Sequence, residues 1–316
     1  MRLKENNMTN TYNACRHLNK LKDQSDKIQT ILFQYKYKDY VKINNKLANC
    51  SYSSIVNNNR IDQQNQSCGS PLCPICDSAH KIRKQCGIAC AVMDKINEGI
   101  ILDNGRKLTP TMQLLTLTVP KVPVYEFDDA LKQIKTDFKT FLSTKMQKQS
   151  GKLVTINQCL LGSSTYYHLS LSDTRSGNPL IGVHLHAILL LQPSFLGVNA
   201  ITKDMVRDYW MIVTGHRDLL QTHMKKIPLT HSNFIRATAY GLAKLDFDEA
   251  IANPRKYIQL LSCLHGKHFV QHTGMMKSFR KEVREEYKVN QQIAHNAQMQ
   301  IEIAKRIDAY DVIIAI

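Results

Sequence analysis

Two histidines one residue apart, His184 and His186, sit inside the apolar run Ile181 to Leu191, IGVHLHAILLL. In an extended strand side chains alternate, so both imidazoles project from one side, while Leu185, Ile188 and Leu190 can face or fill a core. Two imidazoles on one face can hold one metal ion. A buried strand that spends two positions on histidine must also satisfy their ring nitrogens, so the pair needs a ligand or polar partners. On the strand alone both readings stand, a metal site or a structural histidine pair.

The thiols form a second constellation. Cys50 is followed by Cys68, Cys73 and Cys76, the last three within CGSPLCPIC. A CPxC knuckle lets two thiolates converge on one ion with backbone amides free to donate to sulfur, and two more thiolates complete a tetrahedral structural zinc site. Cys86 and Cys90 compete as the second pair, but they stand among Ile82, Ile88, Ala89 and Val92 and read as small core residues, so Cys50 and Cys68 are preferred. The plainer alternative is a set of reduced, buried thiols.

A nucleophile is offered by Tyr240 in ATAYGLAKL, a predicted helix over Ala237 to Leu245 that carries Lys244 one turn later on the same side. A phenol with a pKa near ~10 is a weak nucleophile until a cation or metal stabilises the phenolate or the charge forming on its target. Otherwise Tyr240 is a rim aromatic and Lys244 a solvated charge.

The elements that must position these groups can be read in outline. Residues 1 to about 65, rich in Asn, Gln and Lys, predict a helical arm between Thr9 and Tyr35 and then a loose connector. Ser78 to Asn97 reads as a basic helix. Gln113 to Val119 has the β-branched character of a central strand, and Phe127 to Met146 repeats Leu131, Ile134, Phe138 and Leu142 at helical spacing. Strands are predicted at Leu153 to Leu161 and Thr165 to Ser172, parted by Gly162, Ser163 and Ser164. The turn formers Thr174 to Pro179 make the second of these a hairpin with the His184 strand. Folding the chain about Gly177 brings His168 opposite residue 185 to within a residue or two, as a third ligand or as a histidine at the sheet's rim. Lys203 to Thr214 and Leu219 to Lys226 read as helices, with Trp210 as a core anchor. A long polar helix is expected from Met276 to Arg306. The fold class is therefore α+β, a central antiparallel sheet flanked by helices.

Composition bounds the partners. The chain has 316 residues, 43% of them hydrophobic, and 42 Lys plus Arg against 26 Asp plus Glu, a formal charge of +16. That excess points to a polyanion. Neither Leu219 to Leu245 nor Ala250 to Lys281 contains an acid. The start, MRLKENNMTN, has no apolar signal core, and no run is long enough to span a membrane, so a cytoplasmic protein is expected, with its nine cysteines reduced.

Taken in order, these motifs resemble the rolling-circle plasmid replication initiators of the Rep family 1 type, in the His-hydrophobic-His (HUH) endonuclease superfamily. The resemblance covers roughly residues 49 to 285. It rests on TLTV at 116 to 119, the Cys50, Cys68 and CPxC cluster, His184-Leu185-His186, the Tyr240 helix, and GKHFVQHTGMMK with Gly266, Lys267, Gly274 and Lys277. It implies a zinc-binding region and basic helix over 49–110 and a nuclease domain with a palm-like core over 111–285, between the helical arm over 1–48 and the helical tail over 286–316 that the residues themselves predict. It also implies an enzyme that nicks one strand of a replication origin, stays joined to the 5′ end through Tyr240, and leaves a 3′ hydroxyl for the host polymerase, with a host helicase as a further partner. His184 and His186 would be ligands to Mn²⁺ or Mg²⁺.

This chain departs from the family at three positions. His168 stands where the family's third ligand is a glutamate, which favours a transition ion over Mg²⁺, with Asp173 as the reserve. Arg236 stands where several relatives carry the glutamate that activates water to end the cycle, and Asp246, Asp248 or Glu249 could substitute. Lys244 is displaced by one residue. A transposase or relaxase of the same superfamily, or a zinc-stabilised DNA-binding regulator without catalysis, would share parts of the pattern.

Overall fold

The computed structural model describes residues 20–36, 45, 47, 52–57, 60–65, 73–74, 85, 87–101, 105–148, 150–173, 179–196, 201–216, 221–241, 247–264 and 267–290. The chain forms two units, residues 1–81 with 244–265 and residues 82–243 with 266–316. The stretch 111–285 is thus interrupted by residues that fold with the N-terminal unit.

The described elements in chain order are α1 (20–34), β1 (Tyr52–Asn57), β2 (Arg60–Asn65), α2 (Gly87–Asn97), β3 (Thr111–Thr118), β4 (Val122–Pro123), α3 (Phe127–Ser143) and β5 (Leu160–Asp173). They continue with β6 (Pro179–Leu191), α4 (Lys203–Thr214), β7 (Thr222–Ile227), α5 (His231–Gly241), α6 (Phe247–Ala252), α7 (Pro254–Leu264), β8 (Val270–Thr273) and α8 (Gly274–Asn290). No helix among the described residues is long and apolar enough to cross a membrane.

In the first unit, Leu21, Ile28, Ile31 and Leu32 line one face of α1 and pack with Leu47, Cys73, Ala250, Tyr257 and Leu261. Their spacing is the helical period that buries one stripe. Lys20 and Gln24, one turn apart, donate to the two oxygens of Asp248 at 2.8 and 2.7 Å. The stretch expected as a loose connector contains an antiparallel pair, β1 with β2, in register from Tyr52 opposite Asn65 to Asn57 opposite Arg60.

The second unit is built on an antiparallel sheet in the order β7-β3-β6-β5-β8, with β4 also pairing to β6. Both faces are covered, and so β6 reads as a nearly unbroken apolar run. On one face Met112, Tyr166, Ile188, Leu190 and Ile227 meet Phe234 and Ala237 of α5, Val92, Met93 and Ile96 of α2, and Met276 and Val283 of α8. On the other lie α3 and α4, where Phe141 meets Trp210 edge-on at 5.6 Å. The buried Trp210 indole donates to the Thr118 carbonyl at 2.8 Å.

Two segments of the sheet also depart from their sequence-based assignment. Gly162, Ser163 and Ser164 do not break a strand; β5 runs through them. Their small size serves a close approach instead: a Cβ on Gly162 would lie 2.7 Å from the Met276 amide nitrogen and the Thr273 carbonyl oxygen. The two buried hydroxyls bond across to β8, Ser163 to Thr273 at 2.8 Å and Ser164 to His272 at 2.9 Å. Second, the described part of the helix expected over Leu219 to Lys226 is a strand instead, the edge strand β7 over Thr222–Ile227, with Leu219 and Leu220 outside the described residues. Leu, Gln, Met and Lys favour helix locally, but pairing along β3 satisfies a row of backbone groups that local helix propensity cannot outweigh. The edge is marked by exposed Lys225 and Lys226, a common guard against further strand pairing.

Candidate metal centre and nucleophile

The β5–β6 hairpin places His168 directly opposite His184, one residue from the expected register, and Tyr166 opposite His186. Paired residues share a sheet face, so His168, His184 and His186 converge. One ring nitrogen from each lies within 4.8 Å of the others. Ring centroids are 4.4 Å apart for His168 and His186, and 5.8 Å apart for His184 with each of the other two. A group of this kind can bind a metal ion. Asp173 pairs with Pro179 at the far end of the hairpin, about 17 Å along the strand from His168 at ~3.3 Å per residue.

The donor chemistry fits a cation. His186 is 2% exposed, and its burial, followed by the neighbouring His168 and His184, pushes its pKa down to about 3. His184 is also lowered, first by burial and then by Lys121. These two imidazoles are therefore neutral at neutral pH, the form that coordinates a metal. Thr116 Oγ1 lies 2.9 Å from His186 Nδ1. When that hydroxyl accepts from Nδ1–H, the lone pair is left on Nε2, which fixes the tautomer for coordination. Thr116 belongs to the string TLTV, and its partnership with His186 follows from the β3–β6 register, in which the two are opposite.

Tyr240 enters from above the sheet. Helix α5 buries Phe234, Ala237 and Ala239, while Arg236 and Tyr240, one turn apart, stay exposed. The Tyr240 ring stands 4.6 Å from that of His186 at 71°, and 6.2 Å from that of His168. A half-exposed phenol beside a nitrogen cluster is accessible to an incoming substrate, as a nucleophile must be. The helix is described from His231 to Gly241, so it begins earlier than the sequence suggests, and residues 242–245 lie outside the described residues.

A cleft of about 490 Å³ opens beside Tyr240, lined by Thr116, Lys203, Arg207, Gln221, Thr222 and His223 together with Asp204. Arg207 is braced by Asp204 at 3.2 Å and Asp208 at 2.9 Å. The sequence does not single out His223, and it marks Thr116 only as part of TLTV. Reading β7 as a helix hid the alternation that sets His223 on the histidine face.

The remaining predicted site residues fall elsewhere. Lys244, Cys50, Cys68, Cys76, Cys86 and Asp246 lie outside the described residues, as does the side chain of Glu249. Cys73 is buried in the core of the first unit, and Cys90 is half-buried on α2. Asp248 is engaged within the first unit, its carboxyl held below the usual range by its bonds from Lys20 and Gln24. Compared with known proteins, the chain matches no family model, no curated protein and no solved structure.

Proposed function

We propose that the chain is a metal-dependent, single-strand DNA endonuclease and strand transferase that initiates rolling-circle plasmid replication, with Tyr240 as its nucleophile. The observation that carries this reading is one arrangement: three convergent imidazoles with the exposed Tyr240 ring 4.6 Å from His186. Structural histidines would need neither the convergence nor an accessible phenol on top of them.

When bound on His168, His184 and His186, a divalent ion, Mn²⁺ in preference to Mg²⁺ for an all-nitrogen set, would neutralise charge on the scissile phosphate. Tyr240 Oη attacks phosphorus in line as its phenolic proton passes to water, the P–O3′ bond breaks, and the products are a 5′-phosphotyrosine and a 3′ hydroxyl. Because a phosphodiester replaces a phosphodiester, the 3′ hydroxyl can later attack and reseal the strand without ATP. Single-stranded or extruded DNA is the suitable substrate, since a phosphate in a duplex does not readily reach a sheet face under a helix. The +16 charge and the exposed Lys225, Lys226, Arg236, Lys277 and Lys281 favour a polyanion held through its backbone. A structural zinc on Cys50, Cys68, Cys73 and Cys76, and host helicase and polymerase as partners, belong to the same reading.

The test is covalent capture. The protein, with Mn²⁺, is mixed with a random-sequence pool of single-stranded DNA, and strands that survive boiling in detergent on the protein are recovered. The expected result is a metal-dependent adduct. Binding without an adduct at any sequence would instead indicate a non-catalytic regulator.

A further inference from the structure

The reaction above leaves one proton unassigned. As P–O3′ breaks, the departing 3′ oxygen needs a proton, and in the resealing direction the same hydroxyl must lose one. Tyr240 is bonded to phosphorus at that stage and cannot serve.

The register of the sheet identifies a group suited to the task. His223 on β7 is opposite Thr116, which is opposite His186, which is opposite Tyr166. These four residues make one rung and face the same side of the sheet. His223 is therefore two strand spacings, about 10 Å, from His186, with the Thr116 hydroxyl between them. The separation leaves room for one phosphodiester between the imidazoles. His223 is exposed and shares the cleft of about 490 Å³ with Tyr240. Lys203 and Arg207 line the same cleft with one carboxylate, Asp204, which is paired to Arg207; Lys203 is thus left as a cation for a phosphate of the strand.

We propose that this cleft binds the 3′ side of the cut strand and that His223 is the acid and base for its 3′ oxygen, a role that rests on the nuclease reading above. In nicking, the His223 imidazolium donates its proton to O3′ as the P–O3′ bond breaks. In resealing, neutral His223 takes the proton from the 3′ hydroxyl as O3′ attacks phosphorus and the Tyr240 oxygen departs. Imidazole suits a reversible transfer because one ring nitrogen can donate a proton in one direction and accept it back in the other. Lys203, a point charge with three N–H donors, suits the neighbouring phosphate instead.

The test compares two forms of a single-stranded oligonucleotide obtained by covalent capture: one with oxygen and one with sulfur at the 3′-bridging position of the scissile phosphate. A thiolate leaves without protonation, so it removes the need for the acid. His223→Ala is expected to slow adduct formation on the oxygen substrate by roughly 10² to 10⁴ and to match the unmodified protein on the sulfur substrate. Thermal unfolding followed at Trp210 is expected to be the same for both proteins, which separates a proton-transfer defect from a folding defect. An equal loss on both substrates, or none on the oxygen form, overturns the role of His223 while leaving the nuclease reading intact. Failure of the unmodified protein to cut either form overturns the nuclease reading itself.

Discussion

The Thr116 hydroxyl lies 2.9 Å from Nδ1 of His186, the most buried of the three clustered histidines. This contact holds the imidazole and, when the hydroxyl accepts from Nδ1–H, leaves the Nε2 lone pair for a ligand. Thr116→Val keeps the shape and removes the bond. Mn²⁺ affinity, measured by calorimetry, is predicted to fall 10- to 100-fold, as for other partners of metal-bound histidines, with Thr116→Ser close to the unmodified protein. Equal affinity in all three proteins would show that the contact does not tune the site.

The third ligand follows from pairing, since His168 faces His184 and Asp173 faces Pro179. His168→Ala is predicted to weaken Mn²⁺ binding by at least 10-fold, and Asp173→Ala to change it less than 2-fold. Reversed effects would remove His168 from the ligand set.

Gly162 is a packing requirement, because a Cβ there would lie 2.7 Å from backbone atoms of Thr273 and Met276. Gly162→Ala is predicted to destabilise the second unit by about 1–3 kcal/mol, the usual cost of overpacking. Chemical denaturation monitored at the buried Trp210, the chain's one tryptophan, reports it. An unchanged midpoint would mean that the joint between β5 and α8 yields easily.

His272 couples stability to pH. Burial, followed by Arg280 and Arg284, pushes its pKa down to about 3, against an ordinary value of 6.5. The unfolded chain therefore binds the proton first as pH falls. Stability from this group is full above about pH 6.5 and is lost progressively down to about pH 3. His272→Asn, which retains a polar group toward Ser164, is predicted to flatten the fall in Tm over that window. The same slope in both proteins would assign acid sensitivity to other groups.

Much of the site was legible because it is written in alternation. The spacing of His184 and His186, and the turn residues 174–179, suffice to bring His168 alongside to within one residue. Trp210 and the bounds of α4 also follow from local pattern, since Lys203–Thr214 begins at a Thr202 cap that accepts from Met205 and ends at Gly215 with φ 70°. Tertiary choices were not legible. β7 has helix-favouring residues and becomes a strand because β3 has an edge to fill. Gly162, Ser163 and Ser164 look like a turn and are strand because α8 and β8 need close access to β5. The partnership of Thr116 with His186 and the place of His223 on the histidine face follow only from those pairings.

The central claim, that Tyr240 attacks DNA with the help of the histidine cluster, is tested most directly by locating the DNA on the protein. After reaction of the captured oligonucleotide with Mn²⁺, nuclease trimming and proteolysis, the account predicts a nucleotide mass on the peptide containing Tyr240. The adduct should be absent in Tyr240→Phe, which still binds the strand. A nucleotide mass on any other residue, or an adduct that persists in Tyr240→Phe, would contradict it.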